Sequence, residues 1–314
     1  MTTCISIVIP CFNESDVLEG LFERLSSVLT KLDDEHEIIF VDDGSTDHTL
    51  VMLRELSQDD TRITILELSR NFGKEAALTA GIDAATGDAV VPMDADLQHP
   101  PELILEMIEQ WRAGHDVVLA RRRSREHDHP LQRRVTGWFY RGLNAIADSE
   151  IPRDVGDFRL MDRQVVEALK RLPERRRFMK GLFAWVGFRQ TTVEFDVEPR
   201  AGGDSSFGGI RLWRLALEGI TSFSTLPLVV WTYIGVAVAA LSVFYGGWIV
   251  MKTLIFGVDL PGYASLLTAI LFLGGIQLMG IGILGEYIGR IYSESKQRPI
   301  YIVRQRYGQQ QSNR

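Results

Sequence analysis

The stretch Val90–Glu102 reads VVPMDADLQHPPE, and its order of apolar, acidic and proline residues decides the fold. The apolar start, bounded by turn residues, is typical of a buried strand, whereas Pro100 and Pro101 fit the first turn of a following helix. Asp94 and Asp96 therefore come at the carboxyl end of a strand, which is where open α/β sheets bind their ligands.

The two aspartates also carry a chemical signal, because carboxylates this close repel each other and a divalent cation relieves that repulsion. Mg²⁺ and Mn²⁺ prefer oxygen ligands and often bridge to the phosphates of a substrate. The pattern D-x-D by itself also fits an ordinary acidic loop. Other parts of the chain are needed to distinguish such a loop from a metal site.

The composition limits the class of protein. The chain has 314 residues and a net charge of −7, which argues against nucleic acid as the main partner. Cys4 and Cys11 lie on or beside the first predicted strand, too far apart to bridge, so we expect two reduced thiols in the core. The start of the chain, MTTCISIVIP, lacks the features of a signal peptide and leads directly into a strand, which predicts a cytosolic first part.

Two long apolar segments follow the charged part of the chain. Leu228–Met251 and Ala264–Gly285 contain no charged residue, and each is long enough for a helix that crosses a hydrocarbon core, which takes about 20 residues. Helices buried in a soluble protein are the alternative, which such length without charge disfavours. Small residues at helical spacing would let these helices pack within one chain or in a homo-oligomer. These residues are Gly235, Ala239, Gly285 and Gly289.

The basic residues predict the orientation of these helices, because cytosolic flanks carry an excess of lysine and arginine. The loop between the helices has only Lys252 against Asp259, whereas the outer flanks hold Arg200, Arg211, Arg214, Arg290, Lys296, Arg298, Arg304 and Arg306. Both termini are therefore predicted to be cytosolic, in a protein integral to the cell (inner or plasma) membrane. The predicted parts are a cytosolic domain 1–210, an amphipathic juxtamembrane helix 211–227, spans 228–251 and 264–285 with an external loop 252–263, and a cytosolic tail 286–314.

Strands alternate with helices before these segments, which indicates a mostly parallel sheet with helices on both faces. Besides the strand that ends before Asp94, the predicted strands are Ile5–Ile9, Glu37–Val41, Ile63–Leu66 and Asp116–Ala120. Their carboxyl ends collect polar residues that suit a nucleoside diphosphate: Pro10–Glu14, Asp42–Ser45, Asp94–Gln98 and Arg121–Arg123. The motifs G-x-x-x-x-G-K-[ST] and G-x-G-x-x-G are both missing, which argues against a P-loop NTPase and against a dinucleotide dehydrogenase.

Several motifs in order resemble one known family. They are IPCFNE (Ile9–Glu14), VDDGSTD (Val41–Asp47), RNFGKEAAL (Arg70–Leu78) and DADLQHPPE (Asp94–Glu102). Together they are similar to the inverting glycosyltransferases of the GT-A type, with a Rossmann-like fold, and most of all to polyprenyl-phosphate glycosyltransferases. The phrases GDFRLMDR, FAWVGFRQ, EGITSFSTLPL and GEYIGRIY look like the bactoprenol glucosyltransferase branch, which is related to dolichol-phosphate mannosyltransferase.

The resemblance implies a reaction. A hexose, glucose by the branch, would pass from a UDP-sugar to polyprenyl (undecaprenyl or bactoprenyl) phosphate, with inversion, at the cytosolic face of the bilayer. A divalent metal, Mg²⁺ or Mn²⁺, would serve as cofactor. A non-catalytic nucleotide-sugar-binding subunit of a membrane complex is one alternative. A processive polysaccharide synthase is another, although the chain has no Q-x-x-R-W motif and two spans are few for a polymer channel.

The resemblance also implies roles for single residues. The uracil and ribose would be surrounded by Pro10, Glu14, Asp42, Asp43 and Ser45, with Asn13 of the same motif as a further substrate-binding residue. The metal and the diphosphate would be held by Asp94, Asp96 and Gln98. Further substrate contacts would come from Lys74, Arg122, Arg134, Arg200 and Ser205. Asp157 matches the position of the catalytic base, and Asp96 is the second catalytic candidate.

One segment departs from the family pattern. Family members often carry a lysine in the segment Asp204–Phe207, which reads DSSF here, and no cation follows before Arg211. Another arginine or the serine hydroxyls would then have to bind the phosphate.

The chemistry of the acceptor suggests a second interpretation of Asp157. A phosphate monoester has a second pKa of about 6 and is mostly dianionic at neutral pH, so no proton must be removed before it attacks. We therefore expect Asp157 to position groups, through Arg159 or a sugar hydroxyl, more than to accept a proton. A turn aspartate in the sequence DVGDF is the remaining alternative.

Two basic segments with aromatic neighbours are candidates for contact with an anionic membrane surface, namely 130–147 and 175–186. A solvated basic helix is an equal alternative for the first segment. His115, His127 and His129 have no metal-ligand spacing and are interpreted as surface residues.

Overall fold

A computed structural model describes residues 3–32, 34–123, 155–175, 177, 179–196, 226–257 and 262–308. Several predicted features lie outside these residues: the candidate site residues Arg134, Arg200 and Ser205, the juxtamembrane helix 211–227 up to residue 225, the basic segment 130–147, the segment Asp204–Phe207, and His127 and His129. The chain divides into two compact units, one made of 1–216 with 298–314 and the other of 217–297.

The first unit is an α/β domain. Its strands are β1 (Cys4–Cys11), β2 (Glu35–Asp42), β3 (Ile63–Leu68), β4 (Ala89–Pro92), β5 (Val117–Arg122), β6 (Val155–Asp162), β7 (Gln190–Phe195) and β8 (Val303–Tyr307). Its helices are α1 (Leu18–Leu29), α2 (Thr49–Asp59), α3 (Lys74–Ala84), α4 (Leu103–Arg112), α5 (Arg163–Lys170) and α6 (Met179–Trp185). The second unit contains α7 (Leu226–Phe256) and α8 (Tyr263–Ser295).

The strands form one eight-stranded sheet in the order β7-β5-β6-β4-β1-β2-β3-β8. Strand β1 pairs in parallel with β2 and β4, β2 with β3, and β5 with β7, whereas β6 and β8 run antiparallel to their neighbours. The predicted fold class, a mostly parallel sheet with helices, is confirmed.

Helices cover both faces of the sheet because the central strands are apolar on both sides. Ile5, Ile7 and Ile9 of β1 belong to the core cluster that includes the buried residues of α1 and α4. On the opposite face α3 lies directly on the sheet: a Cβ on Gly81 would come 2.2 Å from Val8 Cγ1, so a glycine is needed there. The two cysteines are free thiols, as predicted.

Strand β6 determines which residues meet at the carboxyl end of β4. It pairs antiparallel with β4, with Val90 opposite Met161. Continuing this register by four residues puts Asp157 alongside Asp94, although the two residues are far apart in sequence. The antiparallel strand thus brings a third carboxylate to the edge where the two aspartates of D-x-D lie.

Strand β8 follows α8 and adds to the edge of the sheet beside β3. The Tyr307 hydroxyl donates to Glu67 Oε2 at 2.7 Å, and Arg304 forms an ion pair with Glu67 at 3.1 Å. The tail predicted at 286–314 therefore contains the last turns of α8 and a strand of the α/β domain.

Both helices of the second unit are long and apolar enough to cross a membrane, over Leu228–Phe256 and Phe272–Ser295. Helix α7 extends beyond the predicted boundary at 251, and α8 extends beyond the one at 285. In α8, Glu286 and Arg290 continue the helix and form an ion pair at 3.3 Å. Large apolar side chains on these helices face outward, such as Phe244 at 84% exposure, which fits a surrounding lipid phase.

The two long helices contact each other at Gly280, where a Cβ would come 1.9 Å from Trp231 Nε1. At Gly235, Gly285 and Gly289 no atom of the described chain lies within 4 Å of where a Cβ would be. The described residues thus show no close helix contact at these three glycines, and packing through them stays a prediction.

Candidate active site

The predicted donor residues surround a cleft of about 330 Å³ at the carboxyl end of the sheet. The loops after β1, β2 and β4 and the loop before α3 line it, through Pro10, Glu14, Asp43, Lys74, Asp94 and Asp96. Six residues that the sequence analysis took from four separate motifs are thus brought together.

Asn13 and Ser45 connect the loops after β1 and β2. The Asn13 backbone N–H donates to Ser45 Oγ at 3.0 Å, and the Thr46 N–H donates to Asn13 Oδ1 at 2.8 Å. Asn13 has φ of 55°, in the left-handed region that asparagine tolerates better than most residues. Asp42 is buried and accepts the Ser45 N–H at 3.3 Å, so these polar groups fix the turn itself.

Asp43 anchors the loop that leads to Lys74. Its Oδ1 accepts the Phe72 N–H at 2.7 Å and its Oδ2 accepts the Gly73 N–H at 2.8 Å. The neighbouring Gly44 has φ of 71°, and a Cβ there would come 2.7 Å from backbone atoms of the loop at Arg70. The acidic motif after β2 therefore determines where α3 begins.

Lys74 is the first residue of α3, and it joins carboxylates from two strands. Its Nζ lies 2.6 Å from Asp94 Oδ1 and 2.8 Å from Asp157 Oδ2. Burial acts to lower the pKa of Lys74, but these two carboxylates overcome it and raise the pKa above its usual value. Lys74 is therefore a permanent cation between the two acids.

Asp157 is 9% exposed, and its Oδ1 has no hydrogen-bond partner among the described residues. Burial would raise its pKa, but Lys74 and Lys180 together hold the pKa below the usual value, so the group is a carboxylate at neutral pH.

Arg159, through which one sequence-based interpretation has Asp157 act, lies beside Asp157 and helps to lower its pKa. Its guanidinium is buried, donates to the Gly156 carbonyl oxygen at 2.7 Å and lies 3.9 Å from the centre of the Phe183 ring. Within the described chain, the carboxylate of Asp157 forms its ion pair with Lys74 instead.

A candidate metal centre lies beside Lys74. One ligand atom each from Asp94, Asp96 and His99 lies within 4.8 Å of the others. The side chain of His99 is 6% exposed, and burial lowers its pKa, which favours the neutral imidazole. Its Nδ1 is a buried atom without a partner in the described chain, as is Asp157 Oδ1. Carboxylate oxygens and a neutral imidazole nitrogen are ligands that divalent transition metals accept, so the residues present fit a divalent cation.

Gln98, the predicted third ligand, lies in the same turn. Its backbone N–H donates to Asp96 Oδ1 at 3.1 Å, and the preceding Leu97 has φ of 58°. His99 escaped the sequence analysis, although its position three residues after Asp96 was a usable signal.

Arg122 ends β5 on the same side of the sheet and lies close enough to act on the pKa of His99. Its neighbours are engaged: Arg121 pairs with Glu194, and Arg123 pairs with Asp196 at 3.4 Å. Arg122 forms no ion pair with any residue that the structure describes, which leaves its charge for an anionic ligand.

Glu75 is a second residue that the sequence analysis missed. Its Oε2 accepts the Met179 N–H at 3.2 Å and so links α3 to α6. Burial, with a smaller contribution from Asp157, raises the pKa of Glu75 to about 7. A group with this pKa changes its charge in the physiological range.

Comparison with known proteins assigns the class. Residues 6–170 match Glycosyl transferase family 2, and residues 226–291 match the GtrB C-terminal hairpin. The chain belongs to glycosyl transferase family 2 and is a glycosyltransferase, which confirms the resemblance seen in its motifs.

Individual relatives extend the match over nearly the whole chain. A Synechocystis protein named as an uncharacterized glycosyltransferase is 55% identical over 98% of this chain and 97% of its own length. The Bactoprenol glucosyl transferase of Shigella phage SfV is 52% identical, over 96% of this chain and 98% of that protein. Among solved structures, glucosyl-3-phosphoglycerate synthase of Mycobacterium tuberculosis is 20% identical, with a TM-score of 0.48 over 70% of this chain and 78% of that one.

Proposed function

We propose that the enzyme transfers a hexose, with glucose as the first candidate, from a UDP-sugar to a polyprenyl phosphate. The reaction proceeds with inversion, depends on a divalent cation and takes place at the cytosolic face of the membrane. The observation that carries the proposal is the cluster of Asp94, Lys74 and Asp157 in the cleft, with distances of 2.6 and 2.8 Å to the lysine. The relative named Bactoprenol glucosyl transferase, 52% identical over 96% of the chain, supports the choice of acceptor.

The cleft suits a nucleoside diphosphate because it combines acids with a fixed cation. Asp94 and Asp96, with His99 or Gln98, would hold the metal, which when bound stabilises the negative charge of the departing diphosphate as a Lewis acid. Lys74 supplies a second, permanent positive charge at the same place. Preorganised charges of this kind favour the transition state because they need no rearrangement while the charge develops.

The residues around Asp157 suit the acceptor. A phosphate oxygen of the acceptor attacks the anomeric carbon, and the bond from that carbon to the diphosphate oxygen breaks with its electron pair leaving on UDP. The dianionic phosphate carries no proton that has to be removed. Asp157 therefore acts by holding Lys74 between the two acids, while Arg122 is a candidate cation for phosphate oxygens.

Anchoring in the membrane would bring the enzyme to its lipid acceptor. Helices α7 and α8 would cross the bilayer as a hairpin with a short external loop, so that both termini and the α/β domain are cytosolic. A polyprenyl phosphate presents its charged end at the bilayer surface, and an enzyme anchored there meets it without extracting it. A homo-oligomer of such hairpins is compatible with this arrangement.

The test is direct transfer with the purified full-length chain in detergent or proteoliposomes. Radiolabelled UDP-glucose, UDP-galactose and UDP-N-acetylglucosamine are each offered with polyprenyl phosphate, and the lipid product is extracted and identified. We expect a single-sugar lipid phosphate with the anomeric configuration opposite to that of the donor, by NMR. Asp94→Asn should abolish it, whereas Glu109→Gln, at an exposed carboxylate of α4, serves as the matched control.

Two results would contradict the proposal. If no UDP-sugar yields a lipid product in active-site-intact protein, the donor or acceptor class is wrong. A polymer in place of a single-sugar product would favour the processive synthase instead.

A further inference from the structure

We infer that His99 is a direct ligand of the divalent cation, and that the enzyme consequently prefers Mn²⁺ to Mg²⁺. The inference rests on the proposed function, since it requires a cation at Asp94 and Asp96. It goes beyond that proposal in assigning His99 rather than Gln98 as the third protein ligand, which makes the ligand set two carboxylates and one imidazole.

One ring nitrogen of His99 is buried without a hydrogen-bond partner among the described residues. His99 is 6% exposed, and its Nδ1 makes no hydrogen bond within the described chain. Buried polar atoms are nearly always paired, so an unpaired one requires an explanation. A ligand nitrogen of the same ring lies within 4.8 Å of carboxylate oxygens of Asp94 and Asp96, so small side-chain movements would bring all three to one cation.

The ring is also held rigidly. Its centre lies 5.2 Å from that of Phe158 and 5.5 Å from that of Phe195. Gly156 packs closely against the imidazole ring. A Cβ at this position would lie 3.3 Å from His99 Nε2, which is closer than most Cβ contacts in proteins. Two strands distant in sequence from His99, β6 and β7, thus fix the imidazole, and ligands fixed by such surrounding contacts bind metals in a defined geometry.

The competing residue is Gln98. The left-handed Leu97 turns the chain between Asp96 and Gln98, and the Gln98 backbone is bonded to Asp96 Oδ1. Gln98 is half-buried, whereas His99 is buried against the acids. Burial and rigidity therefore favour the imidazole as the third protein ligand.

The choice of ligand has a consequence for the choice of metal. Mg²⁺ demands near-octahedral oxygen coordination and gives up its water molecules reluctantly. Imidazole nitrogen suits first-row transition metals better than it suits Mg²⁺. A site with His99 as ligand therefore discriminates in favour of Mn²⁺, and removal of the imidazole should reduce that discrimination.

Pulsed EPR of Mn²⁺ tests the inference on the full-length protein with UDP present. We expect electron spin-echo modulation from a coordinated ¹⁴N nucleus, and its replacement by the ¹⁵N pattern when the protein is made with ¹⁵N-histidine. His99→Gln should remove the nitrogen signal, weaken Mn²⁺ binding by about tenfold or more and lower the Mn²⁺/Mg²⁺ affinity ratio. His48→Gln, at an exposed histidine before α2, is the matched control and should change none of these.

The outcomes separate the inference from the proposed function. Mn²⁺ that binds without nitrogen modulation, or with modulation that survives in His99→Gln, overturns the inference and leaves the metal-dependent transferase intact. Failure of Mn²⁺ and Mg²⁺ to bind in the presence of UDP refutes the metal dependence itself. The isotope comparison is made on the unmutated chain, so a misfolded variant cannot obscure the result.

Discussion

Replacing Lys74 by methionine tests how the candidate active site is held together. The substitution keeps an unbranched side chain one atom shorter and removes the charge that lies 2.6 Å from Asp94 and 2.8 Å from Asp157. Loss of one preorganised charge next to a leaving group lowers turnover about 10²- to 10³-fold. We expect Lys74→Met to fall in that range for transfer from a UDP-sugar.

The effect on stability follows from the exposure of the two partners. Removing one partner of a fully buried pair costs about 3–5 kcal/mol, and of an exposed pair about 0–1 kcal/mol. Lys74 is 47% exposed on its side chain and Asp157 only 11%, so an intermediate loss of about 2 kcal/mol is expected. For a domain of this size that is a decrease in Tm of about 4–8 °C.

The pH dependence of this loss has a definite sign. In the wild type the pKa of Asp157 is held below its usual value, so its contribution to stability is present above about pH 4 and disappears as the pH falls through the lower folded value. Without Lys74, only Lys180 and Arg159 oppose the effect of burial, so that pKa rises. The difference in Tm between Lys74→Met and the wild type should therefore grow from pH 4.5 to pH 7.5.

The assay compares initial transfer rates and melting temperatures with those of Lys31→Met, an exposed lysine just after α1. A turnover within threefold of the wild type would refute the assignment of Lys74 to the leaving-group charge. A Tm difference that shrinks as the pH rises would refute the electrostatic account of Asp157.

Three further substitutions test neighbouring parts of the site. Asp157→Asn should lower kcat without changing the shape of its pH profile between pH 6 and 9; a lost basic limb would identify a proton acceptor. Gly44→Ala should displace the loop at Arg70, destabilise the fold by about 1–3 kcal/mol and weaken UDP binding measured by calorimetry, since its φ is positive; unchanged affinity contradicts this. Glu75→Gln should raise the free energy of unfolding above pH 7 by at most about 3 kcal/mol and leave it unchanged near pH 4.5. The reason is that the pKa of Glu75 in the folded state, about 7, exceeds its value in the unfolded state. Equal denaturation midpoints of variant and wild type at pH 8 would show that the Glu75 carboxylate does not destabilise the fold.

The parallel centre of the sheet was predictable because its strands are continuous apolar runs. Successive residues such as Ile7 and Val8, which point to opposite faces of the sheet, are both buried, and such runs are recognisable without any knowledge of partners. Strand β8 reads VRQRY, with mostly exposed side chains, and exists because β3 offers an unpaired edge. Strand β6 includes the buried Asp157 and Arg159, which obscure its apolar pattern.

Sheet geometry alone predicted the site residues that follow strands, whereas Lys74 and Asp157 came from the family resemblance. Asp94 and Asp96 come at the end of β4, and any parallel sheet would present them at that edge. The roles of Glu75 and His99 depend on contacts across the chain: Glu75 meets Met179, 104 positions away, and His99 is held by aromatic rings of β6 and β7. Spacing within a motif contains no information about such partners.

Under the proposed function, the charges of the cleft favour joint binding of metal and nucleotide. Asp94, Asp96 and Asp157 bring three negative charges, and Lys74 offsets one of them at ion-pair distance from two of the acids. A diphosphate entering beside these carboxylates is repelled, since two unit charges 4 Å apart interact by about 4 kcal/mol at an effective dielectric constant of 20. A divalent cation would cancel the two negative charges that remain and so remove that repulsion. Because linkage is reciprocal, UDP must then increase the affinity for the metal by the same factor as the metal increases the affinity for UDP.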